Sequence, residues 1–268
     1  MDAQKMYCKK FDLNTKGRDF IVGDIHGSFS LVIKGLKLVK FNKKTDRLFC
    51  CGDLVDRGLE SEHVLDFLNL PFVHSVRGNH EQMFLDLYKN GSPSEEQIYN
   101  SCSQNGMGWW IKLTTAERLK ILTAFENLPF AMEIETTRGT IGVVHADVPD
   151  NMPWPDFINN LNNPDIQEFC LWSRERLFSN NCTGVQGIGR VYIGHTPQDN
   201  GLKKFGNVYA IDTGAVFGYF GNDKSNWLTM MNVTCCTNTL LEKRNPGVLD
   251  LLDPEKPLQT PFGEYTFE

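Results

Sequence analysis

Three short, glycine-punctuated stretches constrain this chain most: Gly-Asp-Ile-His-Gly at 23–27, Gly-Asp-Leu-Val-Asp-Arg-Gly at 52–58, and Arg-Gly-Asn-His-Glu at 77–81. Each follows an apolar run with the character of a buried strand: Phe20-Ile21-Val22, Leu48-Phe49-Cys50-Cys51, and Phe72-Val73 through Val76. Glycine permits a sharp turn just past each strand. Between the runs the pattern is helical. Phe29, Val32, Ile33, Leu36 and Val39 follow a Ser28 or Ser30 cap, and a second helix starts at Ser61 and closes before Pro71. Glu81 to Tyr88 reads as a third. Strands so connected run parallel through right-handed crossovers, with all three ends on one sheet edge. Ligands of α/β sheets gather at that edge. Asp24, His26, Asp53, Asp56, Asn79 and His80 are therefore expected in one place.

The remainder reads less regularly. Residues 1–18 read as a lead-in, an edge strand plus a turn at Asn14 to Gly17. Ser92-Pro93-Ser94 is loop, and Ala116 to Glu126 is helical by periodicity. Trp109 and Trp110 have two readings, the core of a small helical insert or an apolar rim beside a groove; the first is preferred because aromatics are common core material. Phe130–Ile134 and Thr140–Val144 flank a turn as a hairpin, the second strand ending in His145-Ala146-Asp147. Residues 148–163, rich in Pro and Asn, read as loop, and Asp165–Phe178 as one helix carrying Arg174. Val191–Ile193 is a strand ending in Gly194-His195-Thr196-Pro197. Val208–Ile211 and Trp227–Cys235 are further strands. Residues 238–268 contain four prolines and no clear period, so a catalytic domain over 1–237 with a C-terminal extension is expected.

Bulk properties exclude several classes. At 268 residues the chain can bury a full core as one large domain or two small ones. Its net charge of −6 argues against nonspecific binding to nucleic acid or anionic lipid. The N-terminus carries lysines and no apolar core of a signal peptide, and no apolar run approaches the ~18–20 residues that span a bilayer. A cytoplasmic monomer is the expectation. The eight cysteines show no CxxC spacing, so reduced thiols are expected rather than a zinc site.

The six histidines divide cleanly. His63 lies in a helix and His74 inside a strand, and both read as ordinary polar residues. His26, His80, His145 and His195 all lie at predicted strand ends with Asp24, Asp53 and Asn79. Imidazole, carboxylate and carboxamide without thiolate favour Mn²⁺, Fe or Zn²⁺ over Ca²⁺ or Mg²⁺. Donors enough for two ions sharing one carboxylate suit a dinuclear site, which acidifies a shared water and clamps a phosphoryl displacement. Arg57 and Arg174 suit phosphate oxygens. A histidine held by Asp56 suits a proton donor for the departing alkoxide.

The set GDIHG, GDLVDRG, RGNHE, HAD and GHTP, in this order, resembles the phosphoprotein phosphatase family of dinuclear metallophosphoesterases, in its compact, bacteriophage lambda-type branch. The likeness extends to Trp-Ser-Arg-Glu-Arg at 172–176 and to Ile-Asp-Thr-Gly-Ala-Val-Phe at 211–217, and covers roughly residues 15–235. The resemblance implies an α/β fold of four layers, a central β-sandwich of two mixed sheets flanked by helices. It implies two divalent ions, Mn²⁺ foremost. Asp24 and His26 would hold the first, Asn79, His145 and His195 the second, and Asp53 both. Asp56 and His80 match the proton-donating pair, and Arg57 and Arg174 the phosphate clamps. Arg77 is read as structural support. The implied reaction is hydrolysis of phosphoserine and phosphothreonine, with phosphotyrosine as a secondary substrate, in a protein or peptide, by in-line attack of a metal-bridging hydroxide.

Two rivals remain. Symmetrical dinucleoside polyphosphate hydrolases resemble the first motif but typically carry Ala where Asp56 stands and Asp where Glu81 stands. A non-catalytic binding module would have lost a ligand or a clamp, and none is lost. Gly218–Asp223 replaces a longer tyrosine-bearing loop of the eukaryotic members, so contacts of that loop do not transfer.

Overall fold

The computed structural model describes residues 7–199, 201–220, 226–234 and 248–250. Strands β1 (Cys8–Phe11) and β2 (Asp19–Val22) precede helix α1 (Phe29–Leu38) and β3 (Arg47–Cys50). A 3-10 turn at Ser61–His63 runs into α2 (Val64–Leu68), and β4 (Val73–Ser75) leads to α3 (Asn79–Tyr88). An insert follows: α4 (Glu95–Cys102), a 3-10 segment at Met107–Lys112, and α5 (Thr115–Glu126). Next come β5 (Ala131–Ile134), β6 (Ile141–Val144), α6 (Trp154–Asn159), α7 (Pro164–Trp172) and α8 (Glu175–Ser179). The chain continues through β7 (Arg190–Ile193), β8 (Lys203–Phe205), β9 (Val208–Ala210), α9 (Ala215–Phe220), β10 (Thr229–Asn232) and β11 (Val248–Asp250).

The strands form two mixed sheets, ordered β11-β10-β2-β3-β4 and β1-β5-β6-β7-β9-β8. β2, β3 and β4 are parallel, as expected, and β5 and β6 pair antiparallel. Strand residues alternate between two apolar layers. Phe20, Val22, Leu48 and Cys50 face helices through Phe29, Val32, Phe67, Phe84 and Phe125. Ile21, Phe49 and Cys51 face the other way, onto Met132, Ile134, Val143 and Tyr192 of the second sheet. That sheet's outer face, Val144, Val191, Ile193 and Val208, is covered by Trp154, Phe157, Leu161 and Leu171. The order is therefore helix, sheet, sheet, helix.

Several local expectations are corrected. Residues 148–163 are not all loop, because α6 starts at Trp154. Its Pro155 lies in the first helical turn, where the missing N–H has no partner to lose. The helix expected over 165–178 breaks at Ser173, whose ψ of 136° is extended, and this turn lifts Arg174 out of α7. α4 was not anticipated, although Ser94 caps it: Ser94 Oγ accepts from Gln97 N–H at 3.2 Å, and Gln97 Oε1 accepts from Ser94 N–H at 2.8 Å. In the tail, Val248–Asp250 joins the smaller sheet as β11, antiparallel to β10. Three residues carry too little pattern to be read as a strand. The rest of 235–268, Gly221–Asp223 of the short loop, and residues 1–6 of the lead-in lie outside the described residues.

Candidate metal centre

Every anticipated site residue but Arg174, which sits between α7 and α8, lies at or just beyond the end of a strand. Asp24 and His26 follow β2, Asp53, Asp56 and Arg57 follow β3, and Asn79 and His80 open α3 after β4. His145 follows β6, and His195 follows β7. The backbone is strained where they converge. Nine described non-glycine residues have positive φ, and five are His26, Asp53, Asp56, Arg57 and His195. Three of the other four are asparagine, which tolerates this conformation. Such strain concentrates at functional sites because the surrounding structure holds it in place. Two glycines make room: a Cβ at Gly78 would run into the Asp53 carboxylate, and one at Gly194 into that of Asp24.

Asp53 stands in the middle. Its Oδ2 lies 3.5 Å from His26 Nε2 and 3.9 Å from His80 Nε2, while Oδ1 lies 3.4 Å from His145 Nε2. Among the described residues, two three-residue groups of metal-competent donor atoms result, His26–Asp53–His80 and Asp53–His145–His195, and both contain Asp53. All five residues are buried. Asn79 Oδ1 adds to the second group, 2.8 Å from His145 Nε2 and 3.0 Å from His195 Nδ1. Asp24 falls in neither three-donor group. Its two carboxylate oxygens accept from the backbone N–H of His195, at 3.1 and 3.0 Å.

The donor set fits divalent ions. His145 gives its Nδ1–H to the Cys51 carbonyl oxygen at 2.8 Å, and His26 gives its Nδ1–H to that of Val55 at 2.9 Å. Each Nε2 is then a bare lone pair, turned inward. His145 Nε2 and the Asn79 amide oxygen meet acceptor against acceptor, an arrangement that a cation between them satisfies. Burial pushes His26 and His195 down to about 3 and lowers His145, so these imidazoles stay neutral. Burial works the other way on Asp53, but the surrounding imidazoles, His80 being the one raised rather than lowered, outweigh it and hold the carboxylate ionised. Asp24 is raised by burial and by the nearby Asp212 and Asp53. Three carboxylates crowded in a buried pocket call for positive charge.

Beside these groups, His80 Nδ1 meets Asp56 Oδ2 at 2.6 Å, with both side chains buried. The other Asp56 oxygen accepts from the Trp109 indole N–H at 2.7 Å. Burial alone would lower His80, but Asp53 and hydrogen-bonded Asp56 raise it. Arg57, exposed at the mouth, donates to His26 Nε2 at 2.8 Å, and its other terminal nitrogen lies 3.2 Å from His80 Nε2. Arg174 donates to Thr196 Oγ1 at 3.0 Å, beside His195. Arg77 stays out of the site. It donates to Gln82 Oε1 and to the backbone oxygens of Glu126 and Leu128, as structural support should.

Sequence reading missed three contributors. Glu81 accepts from the backbone N–H groups of Asp53, Leu54 and Gly78 at 3.1, 2.8 and 2.7 Å, which ties the β3 loop to α3. Burial and Asp53 push it up to about 7. Asp212 is buried and pushed up to about 6 by that burial. Trp109 reaches Asp56 from the insert. The capping-box spacing from Gly78 to Glu81 was a signal for the first, while the other two contacts join distant parts of the chain.

A fold of two mixed sheets between helices, with a histidine–carboxylate centre at the strand ends, defines a metallophosphoesterase. Residues 20–219 match the model of the calcineurin-like phosphoesterase family, and the chain belongs to that family. It is 38% identical over 205 residues to serine/threonine-protein phosphatase 1 of Salmonella typhimurium, covering 74% of this chain and 87% of that one. It is 35% identical over 202 residues to serine/threonine-protein phosphatase 2 of the same organism, at 73% and 87% coverage. A crystal structure described as a putative diadenosine tetraphosphatase superimposes with a TM-score of 0.57 at 19% identity, over 91% of this chain and 97% of that one. The structural likeness bears on fold alone.

Proposed function

We propose that this protein is a phosphoprotein phosphatase that uses two divalent ions, Mn²⁺ foremost, to hydrolyse phosphoserine and phosphothreonine monoesters. The observation that carries this reading is the buried Asp56–His80 pair at 2.6 Å, set against two donor groups that share Asp53. When bound, the ions supply an acidified water and neutralise charge on the phosphoryl oxygens. Asp24, His26, Asp53, Asn79, His145 and His195 would hold them. Arg57 and Arg174 would grip the phosphoryl oxygens with planar, bidentate donors. The water loses a proton to solvent; as its oxygen bonds to phosphorus, the ester P–O bond breaks, and its electron pair leaves with the serine oxygen. His80 gives that oxygen its Nε2 proton, while Asp56 holds the ring through Nδ1 and stabilises its charge.

The 38% and 35% identities to two serine/threonine-protein phosphatases support a phosphoprotein substrate. Among the described residues, no helix is long and apolar enough to cross a membrane. The test is phosphate release from phosphoserine, phosphothreonine and phosphotyrosine peptides, and ADP release from diadenosine tetraphosphate, with added Mn²⁺. Phosphate from the first two is expected. Cleavage of the dinucleotide alone would overturn the proposal.

A further inference from the structure

The aromatic pair of the insert is where the sequence left two readings open, and the two rings do different things. Trp110 is fully buried against Phe84 and Tyr88, and its Nε1 has no hydrogen-bond partner. It is core. Trp109 packs edge-on against Phe84 and Trp110, with ring centroids 5.6 and 5.4 Å away, but sends its N–H to Asp56.

We infer that Trp109 is a positioning residue for the proton donor, fixing through Asp56 the orientation of His80; this rests on the phosphatase reading proposed above. The Asp56 carboxylate is fully buried and has two partners, one on each oxygen. An indole N–H donates and cannot accept. It therefore commits Oδ1 and leaves Oδ2 alone to meet His80 Nδ1. The Asp56 backbone is pinned as well, because its N–H donates to Ser61 Oγ at 2.9 Å. With main chain and one oxygen fixed, the carboxylate has a single orientation, and the His80 ring takes its angle from it.

The same segment reaches the clamp. The Gly106 carbonyl oxygen accepts from the Arg57 backbone N–H at 3.3 Å, and a Cβ at Gly106 would run into the Arg57 main chain. Four residues of the insert, Gly106 to Trp109, thus span from behind Arg57 to Asp56. The insert carries none of the anticipated ligands, yet it sets the geometry of the group on which a poor leaving group depends. A good leaving group needs little proton donation and is indifferent to that geometry.

The experiment uses the full chain loaded with Mn²⁺ and two substrates, a phosphoserine peptide and p-nitrophenyl phosphate. Trp109→Phe keeps the ring packing and removes the N–H. It should lower kcat/KM on the peptide about ten-fold or more, within the range of general acid catalysis, and on p-nitrophenyl phosphate by less than about two-fold. Trp110→Phe should leave the ratio of the two rates unchanged. In an Asp56→Ala background, adding Trp109→Phe should not move that ratio further. Equal losses on both substrates, or an undiminished effect without Asp56, would reduce Trp109 to packing and overturn the inference.

A readout on the wild-type protein stands even if Trp109→Phe fails to fold. Of the five tryptophan indole N–H resonances, the one that moves in Asp56→Asn should be slow to exchange with solvent. Rapid exchange of every indole proton that responds to Asp56→Asn, or no response at all, overturns the inference. A wild-type protein inert on both substrates would overturn the phosphatase reading instead.

Discussion

The Arg57 guanidinium lies 2.8 Å from Nε2 of His26. It thus donates into a lone pair that the proposed metal site would use, so an ion taking that nitrogen would displace the hydrogen bond. Ion binding and the freeing of Arg57 toward phosphate would then be one event. Arg57→Ala should keep its metal stoichiometry by elemental analysis, or even bind the ion in the His26 group more tightly. Its kcat/KM should fall by a factor corresponding to about 2–4 kcal/mol, the scale of a lost donor to a developing oxyanion. Loss of metal would remove the clamp assignment.

Asp53→Asn tests the shared carboxylate. Asp53 belongs to both donor groups, with an oxygen turned to each. The amide nitrogen of the variant cannot ligate, so metal content and turnover should both collapse. His63→Ala, at a partly exposed ring near Glu62 and Asp66, should leave both as they are. A metal-replete, active Asp53→Asn protein would falsify the shared-ligand assignment.

His80→Asn separates proton donation from support of the metal loop. Its loss should be about 10²–10⁴-fold on a phosphoserine peptide and clearly smaller on p-nitrophenyl phosphate, with metal content retained. His80 also lies in the His26–Asp53 donor group. A fall in metal content with equal losses on both substrates would make it a ligand instead.

Asp46 gives a pH-dependent stability test remote from the centre. Its buried carboxylate accepts from the Arg18 backbone N–H at 2.8 Å, from the Arg18 guanidinium at 2.6 Å and from Asn42 N–H at 3.0 Å. Burial pulls the carboxyl up, but these donors outweigh it and hold it below its ordinary value near 3.8. The unfolded chain therefore takes up the proton first as pH falls. The stabilisation is complete above about pH 4 and disappears as pH drops through the lower folded value. Asp46→Asn should cost about 1–3 kcal/mol at pH 7. The gap to wild type in urea titrations should narrow by pH 3, and a gap of constant size would show that the charge is not what stabilises.

The sequence exposed the parts of this protein that repeat a simple local rule. Phe20-Ile21-Val22 and Leu48 to Cys51 are apolar on both faces because both faces are covered, so they announce themselves as strands. Asp24, Asp53 and Asn79 were legible because each follows such a run. Trp109 and Asp212 were not, since their roles arise from contacts across more than fifty and more than a hundred and fifty residues. The break at Ser173 was hidden for a different reason: one extended residue inside a helical pattern leaves no periodic trace, yet it turns Arg174 toward Thr196. β11 was too short for any pattern to register.

The centre also crosses the gap between the two sheets. His145, at the end of a strand in one sheet, bonds to the Cys51 carbonyl at the end of a strand in the other, and the His195 backbone does the same to Asp24. Ions held jointly by Asp53 and His145 would act as a clasp across the sandwich, so heat tolerance and divalent-ion supply become one property. An ion present at a hundred times its dissociation constant adds about 2.7 kcal/mol to a fold that alone can bind it. A chelator should then lower the melting temperature of the whole molecule, and cells short of the ion would hold this protein in a form that is both inactive and easier to degrade.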